Sequence, residues 1–145
     1  MRKADLLNRR KNEAGFTLIE LLVVIAILGL LIALVAPNVI GQLGNAKVKI
    51  ARQNIELLGQ NLDLYKLDVG SYPTGDQGLQ ALVTRPDGVE NWNGPYVKSR
   101  QVPLDPWNHP YLYHNPSTRE GLDYDLCSQG PSGTAGDTAS QICNK

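Results

Sequence analysis

A net excess of charge of either sign is missing from this sequence. Fourteen Lys/Arg balance fourteen Asp/Glu, so the formal net charge is zero. The balance is uneven along the chain. Arg2, Lys3, Arg9, Arg10 and Lys11 face only Asp5 and Glu13 within residues 1–15, and the remainder carries the compensating acidic excess. A weakly acidic remainder lacks the basic surface of a nucleic-acid-binding domain, so no nucleic-acid partner is expected for the single subunit. Cysteine is scarce: Cys127 and Cys143 are the only two. No Cys-x-x-Cys or Cys/His cluster has zinc spacing, which argues against a structural zinc site. No phosphate loop, nucleophile–base pair or paired carboxylate stands out, so a membrane-anchored enzyme is a poorly supported reading. His109 and His114 are five apart and have no partners at metal spacing. Ser128 and Ser132 lie in a Gly-rich stretch with no readable His–Asp arrangement around either.

One long hydrophobic run is present. Phe16 to Ala36 reads FTLIELLVVIAILGLLIALVA, with Glu20 as its single charge. As a helix it would be roughly 31 Å long, close to bilayer thickness. It is longer than the apolar core of an ordinary signal peptide. It also lacks a good signal-peptidase site, because bulky Leu34 stands where a small residue is needed if Ala36 ends the leader. The basic head in front sets the topology: N-terminus cytoplasmic, C-terminal part outside. Pro37 follows at once and removes a backbone donor, and Gly41 and Gly44 weaken the next turns. Residues 37–45 are read as a soft joint within a longer helix.

The helical pattern resumes beyond the joint. Val48, Ala51, Ile55, Leu58, Leu62 and Tyr65 form one apolar stripe, with Lys47, Lys49, Arg52, Glu56, Gln60 and Lys66 on the other face. The helix should end near Asp68 to Gly70 and lie on a small sheet. Thr74 and Gln77 have capping-box spacing for a short helix over 76–84, ended by Pro86. Residues 111–114 and 122–126 alternate with period two and read as antiparallel strands, with a third short strand expected near Tyr96 to Lys98. Trp107, between Pro106 and Asn108, reads as a core anchor at a turn. Gly130 to Lys145 has no apolar periodicity and reads as a C-terminal loop. If that part is exported, a Cys127–Cys143 disulfide is chemically permitted; two buried free thiols are the other reading.

The junction Lys11-Asn12-Glu13-Ala14-Gly15-Phe16-Thr17-Leu18-Ile19-Glu20 is the most informative stretch. A short basic leader, Gly, Phe, T-L-I-E and a long apolar run resemble the processing site of type IV pilins and type II secretion pseudopilins. The resemblance implies cleavage after Gly15 by a prepilin peptidase and methylation of the new Phe16 amine. Glu20 then has two readings. A carboxylate at headgroup level can simply reach back to water. Alternatively, in a bundle of staggered parallel helices it meets the Phe16 amine of a neighbour. A lone carboxylate in a membrane helix costs about 2.5–3.5 kcal/mol, and a buried charge left unpaired about 3–5 kcal/mol, so such a pair would set register and drive assembly. The uncut leader opposes this by bringing charge into an apolar bundle.

The globular part resembles the major pseudopilin of the type II secretion system through Tyr65-Lys66-Leu67-Asp68, Tyr72-Pro73-Thr74, Gln77-Gly78-Leu79-Gln80-Ala81-Leu82 and Asp105-Pro106-Trp107-Asn108-His109-Pro110-Tyr111. This implies a pilin-like α+β fold in three parts: leader 1–15, transmembrane and assembly helix 16–36, and periplasmic domain 37–145. It implies a homopolymer, a pseudopilus that drives export of folded proteins. Its partners would be minor pseudopilins, an inner-membrane assembly platform and a prepilin peptidase. A surface type IV or competence pilin, serving adhesion or DNA uptake, is the alternative. One departure stands out. The resemblance implies calcium in the C-terminal loop, after a G-x-D-G step, yet this chain reads Gly130-Pro131-Ser132-Gly133 there. Ser132 replaces the acid and Asp137 is the only loop carboxylate, so a calcium site is doubtful and no cofactor is required. A Cys127–Cys143 bond is expected to staple the loop in calcium's place.

Overall fold

A computed structural model of the chain describes residues 15–134 and 136–145. The expected leader, up to residue 14, lies outside the described residues. The chain divides into two compact units between Gly41 and Gln42. Helix α1, Leu18–Val69, contributes to both. It ends where expected: Gly70, at φ +96°, turns the chain and donates its N–H to the Lys66 carbonyl at 2.8 Å.

In the unit from Gln42 onward, the expected stripe of α1 forms the floor of the core. Ala51, Ile55, Leu58, Leu62 and Tyr65 are buried, and Val48 at the end of the stripe is half-buried. Ile55, Leu58, Leu62 and Tyr65 join Leu79, Ala81, Leu82, Val97, Tyr111 and Leu126 in one cluster. Three strands follow: β1 (Leu112–His114), β2 (Asp125–Ser128) and β3 (Ile142–Cys143). They form one antiparallel sheet in the order β1-β2-β3. Cys127 stands opposite Leu112 on one side and Cys143 on the other.

Five expectations need correction. The short helix is a 3-10 turn over Gly78–Leu82 and not a helix over 76–84. Its capping box nevertheless forms: the Thr74 N–H donates to Gln77 Oε1 and the Gln77 N–H to Thr74 Oγ1. No strand forms at 96–98. Pro95 has no N–H, the Tyr96 N–H goes to the Leu82 carbonyl, and the chain turns at Val97 with Arg100 N bonded to the Val97 carbonyl. The third strand is instead β3, inside the segment read as pure loop. It is too short for periodicity to reveal, and Cys143 and Asn144 tie it to β2. The Asn144 N–H bonds the Leu126 carbonyl, and its Oδ1 accepts the Leu126 N–H. Finally, Trp107 is half-buried and outside the core. Trp92 packs against the core instead and donates its indole N–H to the Ala81 carbonyl at 2.8 Å. The strand read over 122–126 begins only at Asp125, after Gly121 turns at φ +80°.

Candidate assembly site

Gly15, Phe16 and Thr17 precede α1 and are exposed. Thr17 caps the helix. Its Oγ1 accepts the Glu20 N–H at 3.2 Å and its carbonyl accepts the Leu21 N–H at 3.2 Å. The first N–H groups of a helix have no partner within it, and a threonine hydroxyl supplies one. Sequence reasoning took Thr17 only as part of the junction motif. The Thr-x-x-Glu spacing, a capping-box signature, was the available signal. Glu20 lies in the first turn, where the positive end of the helix favours a carboxylate, and its side chain is exposed.

Among the described residues, the apolar side chains of this unit are bare. Large apolar side chains from Leu18 to Ile40 are 45–85% exposed. α1 is long and apolar enough to cross a membrane, and none of that stretch is buried by the chain itself. The helical backbone continues through Pro37, Gly41 and Gly44. A Cβ at either glycine would meet no atom of this chain, so internal packing does not explain them. Each lowers helix propensity by about 1 kcal/mol relative to alanine.

The domain unit carries a second apolar stripe on α1, which sequence reasoning missed because that face was read as polar. Leu43, Ile50, Leu57 and Leu64 are 59%, 46%, 57% and 50% exposed. They recur at intervals of seven, the spacing of a helix–helix seam. Among the neighbouring heptad positions Ala46, Gln53, Asn54, Gln60 and Asn61 are uncharged, while Lys47, Lys49 and Glu56 carry charge at the edges of the row. The regular spacing was the signal that could have revealed it.

Away from the helix, Cys127 and Cys143 form a disulfide, joining β2 to β3. Asp125, at the start of β2, is 5% exposed. Burial opposes its charge. Four bonds outweigh that and hold its carboxyl well below the usual range: from Ser117 Oγ, from the Thr118 N–H and hydroxyl, and from Arg119 Nε. Arg119 also donates to the Asn144 carbonyl and side chain, so one carboxylate organises β2, the 117–119 turn and the chain just after β3. Asp123, two residues earlier and outside β2, is exposed and lies 3.4 Å from Lys66.

Ser128 has acid and imidazole nearby, which the sequence did not reveal. Its hydroxyl donates to Asp105 Oδ2 at 2.6 Å, and His109 Nδ1 lies 3.7 Å from Asp105 Oδ1. The order is serine–carboxylate–histidine, so no imidazole sits on the hydroxyl. Ser128 is also 0% exposed. The other oxygen of Asp105 accepts the Trp107 and His109 N–H groups, which makes this a turn-locking cluster. His114 is exposed on β1 and stands opposite Asp125 in register, but the Asp125 carboxylate is taken by Ser117, Thr118 and Arg119 and makes no bond to the imidazole.

A capped N-terminal helix, bare over its first half and buried on one face over its second by a small disulfide-linked sheet, defines a pilin-like subunit. The solved structure of the major pseudopilin from the type 2 secretion system of enterohaemorrhagic Escherichia coli superposes with a TM-score of 0.63 at 33% identity, covering 72% of this chain and 87% of that one. Residues 10–36 match the prokaryotic N-terminal methylation motif, and residues 38–145 match the family model for type II secretion system protein G. The type II secretion system core protein G of Pseudomonas aeruginosa is 45% identical over 132 residues, 88% of this chain and 90% of that protein. That of Vibrio cholerae is 40% identical over 142 residues, 95% of each. The chain belongs to the type II secretion system protein G family, a family of structural pseudopilin subunits.

Proposed function

We propose that this chain is the major subunit of a periplasmic pseudopilus, polymerising through α1 so that fibre growth drives folded proteins across the outer membrane. The observation that carries this reading is the uncovered apolar surface of α1 from Leu18 to Ile40. In the proposed course, residues 16–36 span the inner membrane with the N-terminus inside, and residues 37–145 form the periplasmic part. A prepilin peptidase cuts after Gly15 and methylates Phe16. The freed amine then lies beside a helix end that is already positive, a compact cationic site for a neighbour's Glu20. The Thr17 cap takes the Glu20 N–H and leaves its carboxylate available for that bond. Pro37, Gly41 and Gly44 allow the helix to bend as subunits pack. The chain itself performs no catalysis and needs no metal. Minor pseudopilins and an inner-membrane assembly platform are its other partners.

The heptad seam supports a homopolymer. A second copy presents the same Leu43–Ile50–Leu57–Leu64 row, and parallel copies shifted by whole heptads keep it in register. Leu57→Glu places a charge in the middle of the seam without touching the core. It should leave the melting temperature within about 2 °C of wild type, since exposed substitutions usually cost under ~0.5 kcal/mol. Fibre yield in sheared fractions should fall at least tenfold. Normal fibre yield would remove the seam from the interface.

Membrane-extracted protein should begin at N-methylated Phe16 on N-terminal sequencing and mass spectrometry. Filaments built from chains that retain Gly15 would end the proposal. Loss of exoprotein export in a deletion strain, with surface adhesion and DNA uptake intact, separates a pseudopilus from a surface pilus.

A further inference from the structure

We infer that the loop between β2 and β3 is closed by the Cys127–Cys143 disulfide and a serine–aspartate cluster instead of a cation, so that the subunit's folded state depends on thiol oxidation and not on calcium. The residues fit calcium poorly. Calcium takes six to eight oxygens, several of them carboxylates when it binds tightly. This loop offers one carboxylate, Asp137, and its Oδ2 already accepts the Ser140 hydroxyl at 2.9 Å. Ser140 Oγ is in turn 2.7 Å from Ser132 Oγ, so the serine standing in the acid's place closes a hydroxyl chain onto Asp137. The Ser140 and Ser132 bonds hold the Asp137 carboxyl below its ordinary range. Among the described residues no group of three His, Cys, Asp or Glu could hold a metal ion.

The rest of the loop is fastened from within. Cys127 and Cys143 pair across β2 and β3, sixteen residues apart in sequence. The Gly130 N–H donates to Ser128 Oγ at 3.1 Å, and its Cα packs against the Ser140 carbonyl with no room for a side chain. Gly133, at φ +63°, lies on the His109 ring, where a Cβ would come within 2.5 Å of Nε2. Each contact occupies space or oxygen atoms that a coordination shell would need. Two short strand segments and a loop without apolar periodicity cannot hold themselves, and the covalent bond supplies the missing constraint.

Forming the bond requires an acceptor. The two thiols lose two protons and two electrons to a disulfide-carrying oxidant, which leaves as a dithiol. Such oxidants are characteristic of the periplasm and not of the cytosol.

The test uses the full membrane-extracted chain in detergent, followed by Trp fluorescence on heating. EDTA and millimolar calcium chloride should each move the melting temperature by less than about 2 °C, while a reductant should lower it by about 10–15 °C. Native mass spectrometry of the oxidised chain in calcium chloride should show no retained ion. Cys127→Ser/Cys143→Ser should match the reduced wild type. If that variant fails to accumulate, the wild-type arms decide the question alone. A chelator-induced fall reversed by calcium, one calcium retained per chain, or an unchanged melt on reduction would each overturn the inference. In cells, subunit abundance should fall in a strain lacking periplasmic thiol oxidation and be unaffected by a chelator in the medium. The reverse pattern would also overturn it.

Discussion

Glu20→Ala is expected to insert into the membrane and be processed normally, yet to lose fibre assembly by about a hundredfold. The direction follows from two opposed energies. Removing the carboxylate makes membrane insertion easier by about 2.5–3.5 kcal/mol, so the variant cannot fail for want of insertion. In the proposed fibre the same change strands the neighbouring Phe16 amine in an apolar bundle, which costs about 3–5 kcal/mol per contact. A loss of about 3 kcal/mol is roughly a factor of a hundred in the association constant at each subunit addition. The helix itself should survive, because the Thr17 cap uses the backbone N–H of residue 20, which alanine keeps. Membrane fractionation, N-terminal sequencing and sheared-fibre yield measure the three steps separately. Wild-type fibre yield from Glu20→Ala would show that the carboxylate does nothing in assembly. Glu20→Gln keeps the size and loses the charge, and it should resemble the alanine variant if pairing is ionic.

The second large effect is expected at Asp125. Asp125→Ala leaves Arg119 without its carboxylate and removes the acceptor for Ser117 and Thr118. Leaving such a network half-made should destabilise the domain by about 3 kcal/mol, a fall of roughly 12 °C or more in melting temperature for a domain of this size. The pH dependence has a definite sign. The folded state holds the Asp125 carboxyl below its unfolded value. Its contribution is therefore complete above the unfolded value of about 3.9 and is lost progressively as pH falls below that toward the folded value. Wild type should lose stability steeply between about pH 4 and pH 2, and Asp125→Asn should lose less over the same interval while starting lower. Parallel acid-denaturation curves for the two proteins would mean that another carboxylate governs acid unfolding.

The sequence exposed the helix more clearly than the sheet. An apolar run over 16–36 and a 3.6-residue stripe over 48–65 repeat many times, so each residue supports the next, and the stripe is the one found buried. β3 has two residues and no pattern to repeat. It is held by tertiary bonds from Asn144 and Cys143, which no local window contains. Tyr96 to Lys98 failed in the opposite way: good strand residues, but with the Tyr96 N–H drawn to Leu82. At the candidate assembly site, Gly15, Phe16 and Glu20 were readable as a motif, whereas the capping role of Thr17 was hidden inside the same four letters. The outer seam escaped because polar residues between Leu43, Ile50, Leu57 and Leu64 make that face look solvated when it is averaged. The Asp125–Arg119–Asn144 network joins residues far apart in sequence, and only the folded chain brings them together.

Threading order gives the bond between β2 and β3 a last consequence. In the proposed topology, with the basic end kept inside and the chain beyond residue 37 exported in order, residue 127 emerges before residue 143, and the sulfur at 127 waits unpaired until its mate arrives. A chain halted short of position 143 has no second sulfur and no third strand, and it displays a reactive thiol to the surrounding oxidants. Completion of translocation is thus recorded chemically, and a thiol-reactive label should sort unfinished chains from finished ones.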